Sequence, residues 1–184
     1  MNRATGLMLL LSVLAPLARA EEARMMPVPS LDLQRYSGAW YEIARLPNPF
    51  QKKCAHSVVV HYSVRDDGRL DVVNECVEAD GQTSRAQGVA RLADPKGPPS
   101  QLKVRFAPAF LSFLPAVWGD YWVIDLAPDY SYAVIGGPKR EYLWILGREP
   151  RMPEAVYAEI LARASRFYDV SRVVRTEQRP PAAP

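Results

Sequence analysis

From Ala39 onward the chain alternates apolar and polar side chains in short runs, and turn-forming residues close each run. A period of two marks a strand with one covered face. The first run, Ala39 to Leu46, follows Gly38 and stops at Pro47-Asn48-Pro49-Phe50, where proline cannot continue a ladder. The second spans Cys54 to Val64 and meets the hairpin signal Asp66-Asp67-Gly68, and the third, Arg69 to Glu78, ends in Ala79-Asp80-Gly81. The fourth, Thr83 to Leu92, has Ala86, Gly88, Ala90 and Leu92 on one face and Arg85, Gln87 and Arg91 on the other. Small residues on an inward face leave space rather than fill it. In the fifth, Gln101 to Phe106, Leu102, Val104 and Phe106 alternate with Lys103 and Arg105. Gly119 to Leu126, Tyr132 to Ile135 and Tyr142 to Arg148 follow as the sixth, seventh and eighth.

Helical periodicity is strong in one place. Pro153 suits a first helical position, and Val156, Ile160, Ala164 and Phe167 recur at three or four residues, so one face of this helix lies on something. Leu31 to Tyr36 predicts one short helical turn, and Val170 to Arg175 one further short strand. Eight short antiparallel strands leave two sheet edges exposed unless the sheet closes on itself, and an eight-stranded barrel has a bore suited to one small ligand. The prediction is an all-β fold: an eight-stranded antiparallel up-and-down β-barrel with one C-terminal α-helix packed outside. A β-sandwich uses the same alternation and is the competing architecture.

Residues 1–20 stand apart from this pattern. A short positive start at Asn2-Arg3, an apolar run from Leu7 to Leu14 too short to span a bilayer, and the small-x-small site Ala18-Arg19-Ala20 predict a secretory signal peptide. The expected organisation is then an extended lead-in over 21–30, the barrel and its helix over 31–176, and a Pro-rich tail over 177–184. Neither cysteine, Cys54 or Cys76, lies at the cleavage site, so no lipid anchor is expected there. The expected location is beyond the inner membrane, in the periplasm of a bacterium, with outer-membrane association by contact rather than by anchor. Loss of Arg3 and Arg19 leaves 21 basic against 20 acidic residues, and Lys52-Lys53 is the lone Lys-Lys doublet. Nucleic acid is therefore not an expected partner, because phosphate binding needs a concentrated basic face. In an oxidising compartment two cysteines predict one disulfide.

Three motifs occur in order around the strands: Gly38-Ala39-Trp40-Tyr41-Glu42 at the first, Asp129-Tyr130 between the sixth and seventh, and Arg148 at the end of the eighth. Together they resemble the lipocalin family, and specifically the bacterial outer-membrane lipocalins related to apolipoprotein D. The resemblance covers Leu31 to Thr176, and Tyr142-Leu143-Trp144-Ile145-Leu146-Gly147-Arg148 is particularly similar to the bacterial branch. It implies that Arg148 lies across Trp40 at the closed end of the barrel, a cation–π plug rather than a ligand contact. The loops after the odd-numbered strands, Pro47 to Lys53, Ala79 to Gln82, Ala107 to Trp118 and Gly136 to Arg140, would then share the open end. Cys54 and Cys76 would lie near that end on neighbouring strands. With the hairpin centred near Asp67 the residue opposite Cys76 is about Val58, so a bridge requires the start of the second strand to bend or bulge.

The mouth loop Ala107 to Trp118 is overwhelmingly apolar, where loops are ordinarily polar. It reads as a lid over the cavity, as a surface docking on a lipid layer or on a second copy of the chain, or as ordinary core packing. The candidate ligand-lining residues are Val58, Val60, Tyr62, Ala86, Gly88, Ala90, Leu102, Val104 and Phe106 by inward parity, Phe110, Phe113 and Trp118 in the mouth loop, and Tyr121 and Trp144 by resemblance. The expected ligand is a fatty acid or lysophospholipid, carried or stored in the cell envelope, with no cofactor.

Catalytic chemistry has little support in the sequence. No Gly-x-Ser-x-Gly elbow is present, and His56 and His61 are the two histidines. On one continuous strand His56 and His61 face opposite sides, which disfavours a metal site with Cys54 and predicts a solvated His61. The rival functions are an isomerase-like enzyme using Cys54 with His56, which oxidation to a disulfide would disable, and an interaction barrel with a filled core. Glu42 shares the parity of Trp40 and is expected inward, either paired with a cavity arginine or tyrosine or meeting a polar head group.

Overall fold

The structure is a computed structural model that describes residues 25–179. The predicted signal peptide, the start of the lead-in and residues 180–184 lie outside the described residues. Eight strands form one closed antiparallel sheet: β1 (Gly38–Arg45), β2 (Cys54–Val64), β3 (Leu70–Glu78), β4 (Thr83–Leu92), β5 (Gln101–Arg105), β6 (Gly119–Leu126), β7 (Tyr132–Gly136) and β8 (Trp144–Gly147). Each strand pairs with the next, β8 returns to β1, and β1 pairs with β2, so the cylinder has no free edge. The predicted barrel is what forms, and the sandwich is excluded.

The chain enters the barrel through α1 (Leu33–Tyr36), whose first N–H groups are capped by the Asp32 carboxylate. Gly38 then turns the chain into β1 at φ +96°, a left-handed conformation that L side chains rarely adopt. Within β1 the register against β8 shifts between Glu42 and Ala44. This bulge inserts an extra residue on one face. Ile43 and Ala44 both pack on the outer side of the wall, and Arg45 comes opposite Trp144.

The outer core lies between the barrel wall and α2 (Glu154–Ala164). Tyr157, Ile160 and Ala164 of α2 are buried there with Ile43, Ala44, Leu46, Val134, Leu143 and Ile145. The expected stripe is thus offset: Tyr157 and Tyr168 are the buried terminal members, and Val156 and Phe167 flank them. Pro153 precedes the helix as its cap residue instead of occupying the first turn.

Beyond α2 a single 3-10 turn (Val170–Arg172) leads to a two-residue strand, β9 (Val174–Arg175), antiparallel to Ala44 and Arg45. The β1–β2 ladder runs from Gly38 opposite Tyr62 to Tyr41 opposite Val59, and above it the chain after β9 bridges the two strands. Thr176 N–H donates to the Ile43 carbonyl (3.0 Å), and Ser57 N–H donates to that of Glu177 (2.7 Å). The Gln178 amide donates to the carbonyls of Glu42 and Val58, both at 2.9 Å. Glu177 to Arg179, grouped with the tail on sequence grounds, are hydrogen-bonded to the barrel wall.

Candidate ligand-binding site

One end of the barrel is plugged. The Arg148 guanidinium lies 3.9 Å from the centroid of Trp40, which is fully buried. Its nitrogens donate to the carbonyls of Arg35 (2.5 Å), Ser37 (2.9 Å) and Ala39 (3.0 Å), tying α1 to β1. The Trp40 indole donates to the Tyr36 carbonyl at 2.8 Å. The Asp129-Tyr130 turn supports the same end. Asp129 accepts from Ser131 N–H (3.0 Å), the Tyr130 hydroxyl accepts from Asp32 N–H (2.9 Å), and Arg35 stacks on the Tyr130 ring at 4.0 Å. All three motifs thus meet at one pole.

Above the plug the lumen has an aromatic floor. The hydroxyl of Tyr121 is 2.6 Å from those of both Tyr36 and Tyr62, and the Tyr36 ring packs 5.1 Å from Trp40 and from Tyr62. Burial in this apolar setting pushes all three phenols well above the ordinary tyrosine range. Val60, Val72, Ala90, Leu102, Val123, Ile135 and Leu146 complete the buried lower wall. Of the predicted lining, Val60, Tyr62, Ala90, Leu102 and Tyr121 therefore belong to this filled lower half.

Toward the mouth the lining opens. Along the inward face of β4, Ala90 is buried, Gly88 half-buried and Ala86 exposed. The room left by Gly88 is not empty. A Cβ there would lie 2.8 Å from the Phe106 ring and 2.7 Å from the Arg105 carbonyl, so Phe106 covers the glycine while staying 43% exposed. Val58 is buried and Val104 and Trp144 half-buried, and Trp144 stacks on Tyr142, which meets Phe50 at the rim. Glu42 points inward and is paired, as expected on structural grounds: Arg45 Nη1 donates to it at 2.6 Å and Gln51 at 2.6 Å, with a third bond from the Thr176 hydroxyl. Gln51 in turn accepts from the Trp144 indole at 2.8 Å. Simple alternation places Arg45 outside; the β1 bulge re-aims it, so neither it nor the loop residue Gln51 was detectable from period alone.

Three mouth-loop candidates are not in the lumen. Phe110 and Phe113 are 74% and 76% exposed, so the loop as it stands is not a closed lid. Trp118 lies on the outer wall, its ring 4.1 Å from the guanidinium of Arg91, which sits opposite Lys103 on the outward face. Arg105 approaches the same ring at 5.3 Å, and the indole N–H donates to the Ser112 carbonyl. Two clefts of about 490 and 310 Å³ flank the closed end, around Arg69 and Arg91 and around Arg35 and Tyr130, and neither is lined by any predicted ligand contact.

Cys54 and Cys76 form a disulfide with Cα atoms 5.5 Å apart. The bulge that the bridge requires is present, with register shifts on either side of His56 and Ser57 at φ +53°. No free thiol remains, so the Cys54 nucleophile of the enzymatic alternative is consumed. His61 is exposed on the outer face near Glu75. Among the described residues no three His, Cys, Asp or Glu side chains gather to hold a metal ion, and no helix is long and apolar enough to cross a membrane.

A closed eight-stranded cylinder, pinned at one pole by an arginine over a tryptophan and open at the other, defines a ligand-binding barrel class. Residues 31–178 match the lipocalin-like domain family, and the chain belongs to the lipocalins. It is 41% identical over 160 residues to temperature-induced lipocalin-1 of Arabidopsis thaliana, covering 86% of this chain and 85% of that one. Against the outer membrane lipoprotein Blc of Escherichia coli K12 the identity is 37% over 153 residues, covering 82% and 81%. Among solved structures, lobster apocrustacyanin A1 superposes with a TM-score of 0.63 at 18% identity, over 80% of this chain and 79% of that one, which speaks to the fold. The family is one of proteins that bind small hydrophobic molecules.

Proposed function

We propose that this protein is a non-enzymatic carrier of a fatty acid or lysophospholipid in the cell envelope, with the acyl chain in the upper lumen and the polar head at the mouth. The observation that carries this reading is the graded inward face of β4, buried at Ala90 and open at Ala86, beside the half-exposed apolar surface of Val104, Phe106 and Trp144. Burying ten methylenes is worth about 8 kcal/mol, the scale of a micromolar dissociation constant before association costs are counted. The disulfide supports an oxidising compartment, and similarity to an outer membrane lipoprotein supports an envelope location. Phe50, Phe110 and Phe113 stand exposed around the rim, which suits peripheral contact with a lipid layer without a covalent anchor. Lipid extraction and mass spectrometry of the protein purified from its own host test the reading. A single-chain lipid recovered near one per barrel supports it. A lipid-free barrel that also fails to take up added lysolipid contradicts it.

A further inference from the structure

The polar cluster at the lumen's mouth has its acceptors engaged and its donors in surplus. Glu42 Oε1 accepts from Arg45 Nη1 (2.6 Å) and from the Thr176 hydroxyl, and Oε2 accepts from Gln51 Nε2 (2.6 Å). Gln51 Oε1 accepts from the Trp144 indole (2.8 Å) and from Asn48 Nδ2 (2.7 Å). The carboxylate is almost sealed, with 3% of its side chain exposed. Arg45 uses Nη1 for both of its bonds, to Glu42 and to Thr176 (3.0 Å), while Nε and Nη2 have no acceptor among the described residues. Those nitrogens are not sealed orphans: the side chain is 15% exposed, and Arg105 Nε is the buried unpaired side-chain atom among the described residues. Arg45 sits opposite Trp144 across the β1–β8 ladder, beside apolar lining. Exposed Lys52 and Lys53 follow Gln51, and the loop from Leu46 to Lys53 carries no acid. A guanidinium edge with free N–H groups, under added positive potential, selects an acceptor-rich anion over a neutral hydroxyl head.

We propose that Arg45 is the head-group residue of the barrel, binding an acyl lipid whose polar end is a carboxylate or a phosphate, with Glu42 and Thr176 as positioning residues that hold the guanidinium at the mouth. The inference rests on the carrier reading and narrows it from amphiphiles in general to anionic ones. Gln51 links the head-group site to the chain site, since it bonds both Glu42 and the indole of Trp144.

Calorimetric titration of the full disulfide-bonded protein tests it with three ligands of equal chain length: laurate, dodecyl phosphate and uncharged monolaurin. Wild type is expected to bind the two anions at least about tenfold more tightly than monolaurin, the scale of one charge-assisted contact. Arg45→Met removes that advantage, bringing laurate and dodecyl phosphate to the affinity that the same variant has for monolaurin. Glu42→Gln leaves an amide oxygen to hold Arg45 Nη1 in place, removes the carboxylate charge that competes with the ligand's, and strengthens anion binding; it carries the test if the methionine variant fails to fold, and an unchanged anion affinity in it overturns the assignment. The ratio of laurate to dodecyl phosphate affinity shows which anion the site takes. Equal binding of all three by wild type, or an anion advantage that survives Arg45→Met, overturns the assignment while leaving the carrier intact. If none of the three binds, the carrier reading itself fails.

Discussion

Arg148 combines a cation–π contact over Trp40 with donation to three backbone carbonyls, and it does so where Gly38 leaves room. Removing it loses the stacking and leaves Trp40 and the Arg35, Ser37 and Ala39 carbonyls without their partner, so Arg148→Ala should lower unfolding free energy by about 2 to 4 kcal/mol. Urea denaturation reads this, and ligand affinity per folded molecule should not change, since the plug lies below the floor. Gly38→Ala should cost about 1 to 2 kcal/mol in the same assay, because the new Cβ must take φ +96° and meets Arg148 Nη1 at 3.3 Å. The tyrosine floor makes a pH prediction. Tyr36, Tyr62 and Tyr121 ionise less readily folded than unfolded, so the folded state holds their protons more tightly. Their contribution is then complete below the unfolded value of about 10 and falls away as pH rises above it. Melting temperature should be flat from neutral pH to about 9 and drop steeply beyond 10, with a shallower drop in Tyr121→Phe.

Among the elements, the β2 bulge and its disulfide hold the wall open where β1 and β2 part. The bridge spans 22 residues, and its reduction should cost about 3 kcal/mol by loop entropy, seen as a lower urea midpoint in dithiothreitol. The mouth loop offers a separate test. Phe110→Ser with Phe113→Ser should weaken binding to lipid vesicles about tenfold or more without lowering stability, because both rings are already in water. The strands were legible in the sequence because a period of two survives wherever one face is covered, and all eight fall within a few residues of expectation. The plug was legible because its three motifs occur in order. What alternation could not show is where it breaks. The bulge at Glu42–Ala44 reverses the facing of Arg45, Phe106 fills the space that Gly88 leaves, and Trp118 turns to the outer wall onto Arg91. Thr176 and Gln178 reach the mouth through contacts far apart in sequence, which no local pattern encodes.

At the scale of the whole molecule, a closed sheet removes edge strands and places its ligand surface inside a stable wall, with α2 sealing a second core on the outside. Dense packing at the plugged pole and exposure at the other divide stability from binding, so substitutions of exposed lining residues at the mouth should change affinity and not folding. Ala86 is suited to the decisive test, being inward on β4, exposed and remote from the floor. Isothermal titration of a lysophospholipid into wild type and Ala86→Trp measures directly whether the upper lumen is the binding site. The account predicts micromolar, near one-to-one binding by wild type, and at least about a tenfold loss in a variant of unchanged melting temperature, because the indole occupies the chain's place. Equal affinity in the two proteins, or no binding in wild type, would contradict it.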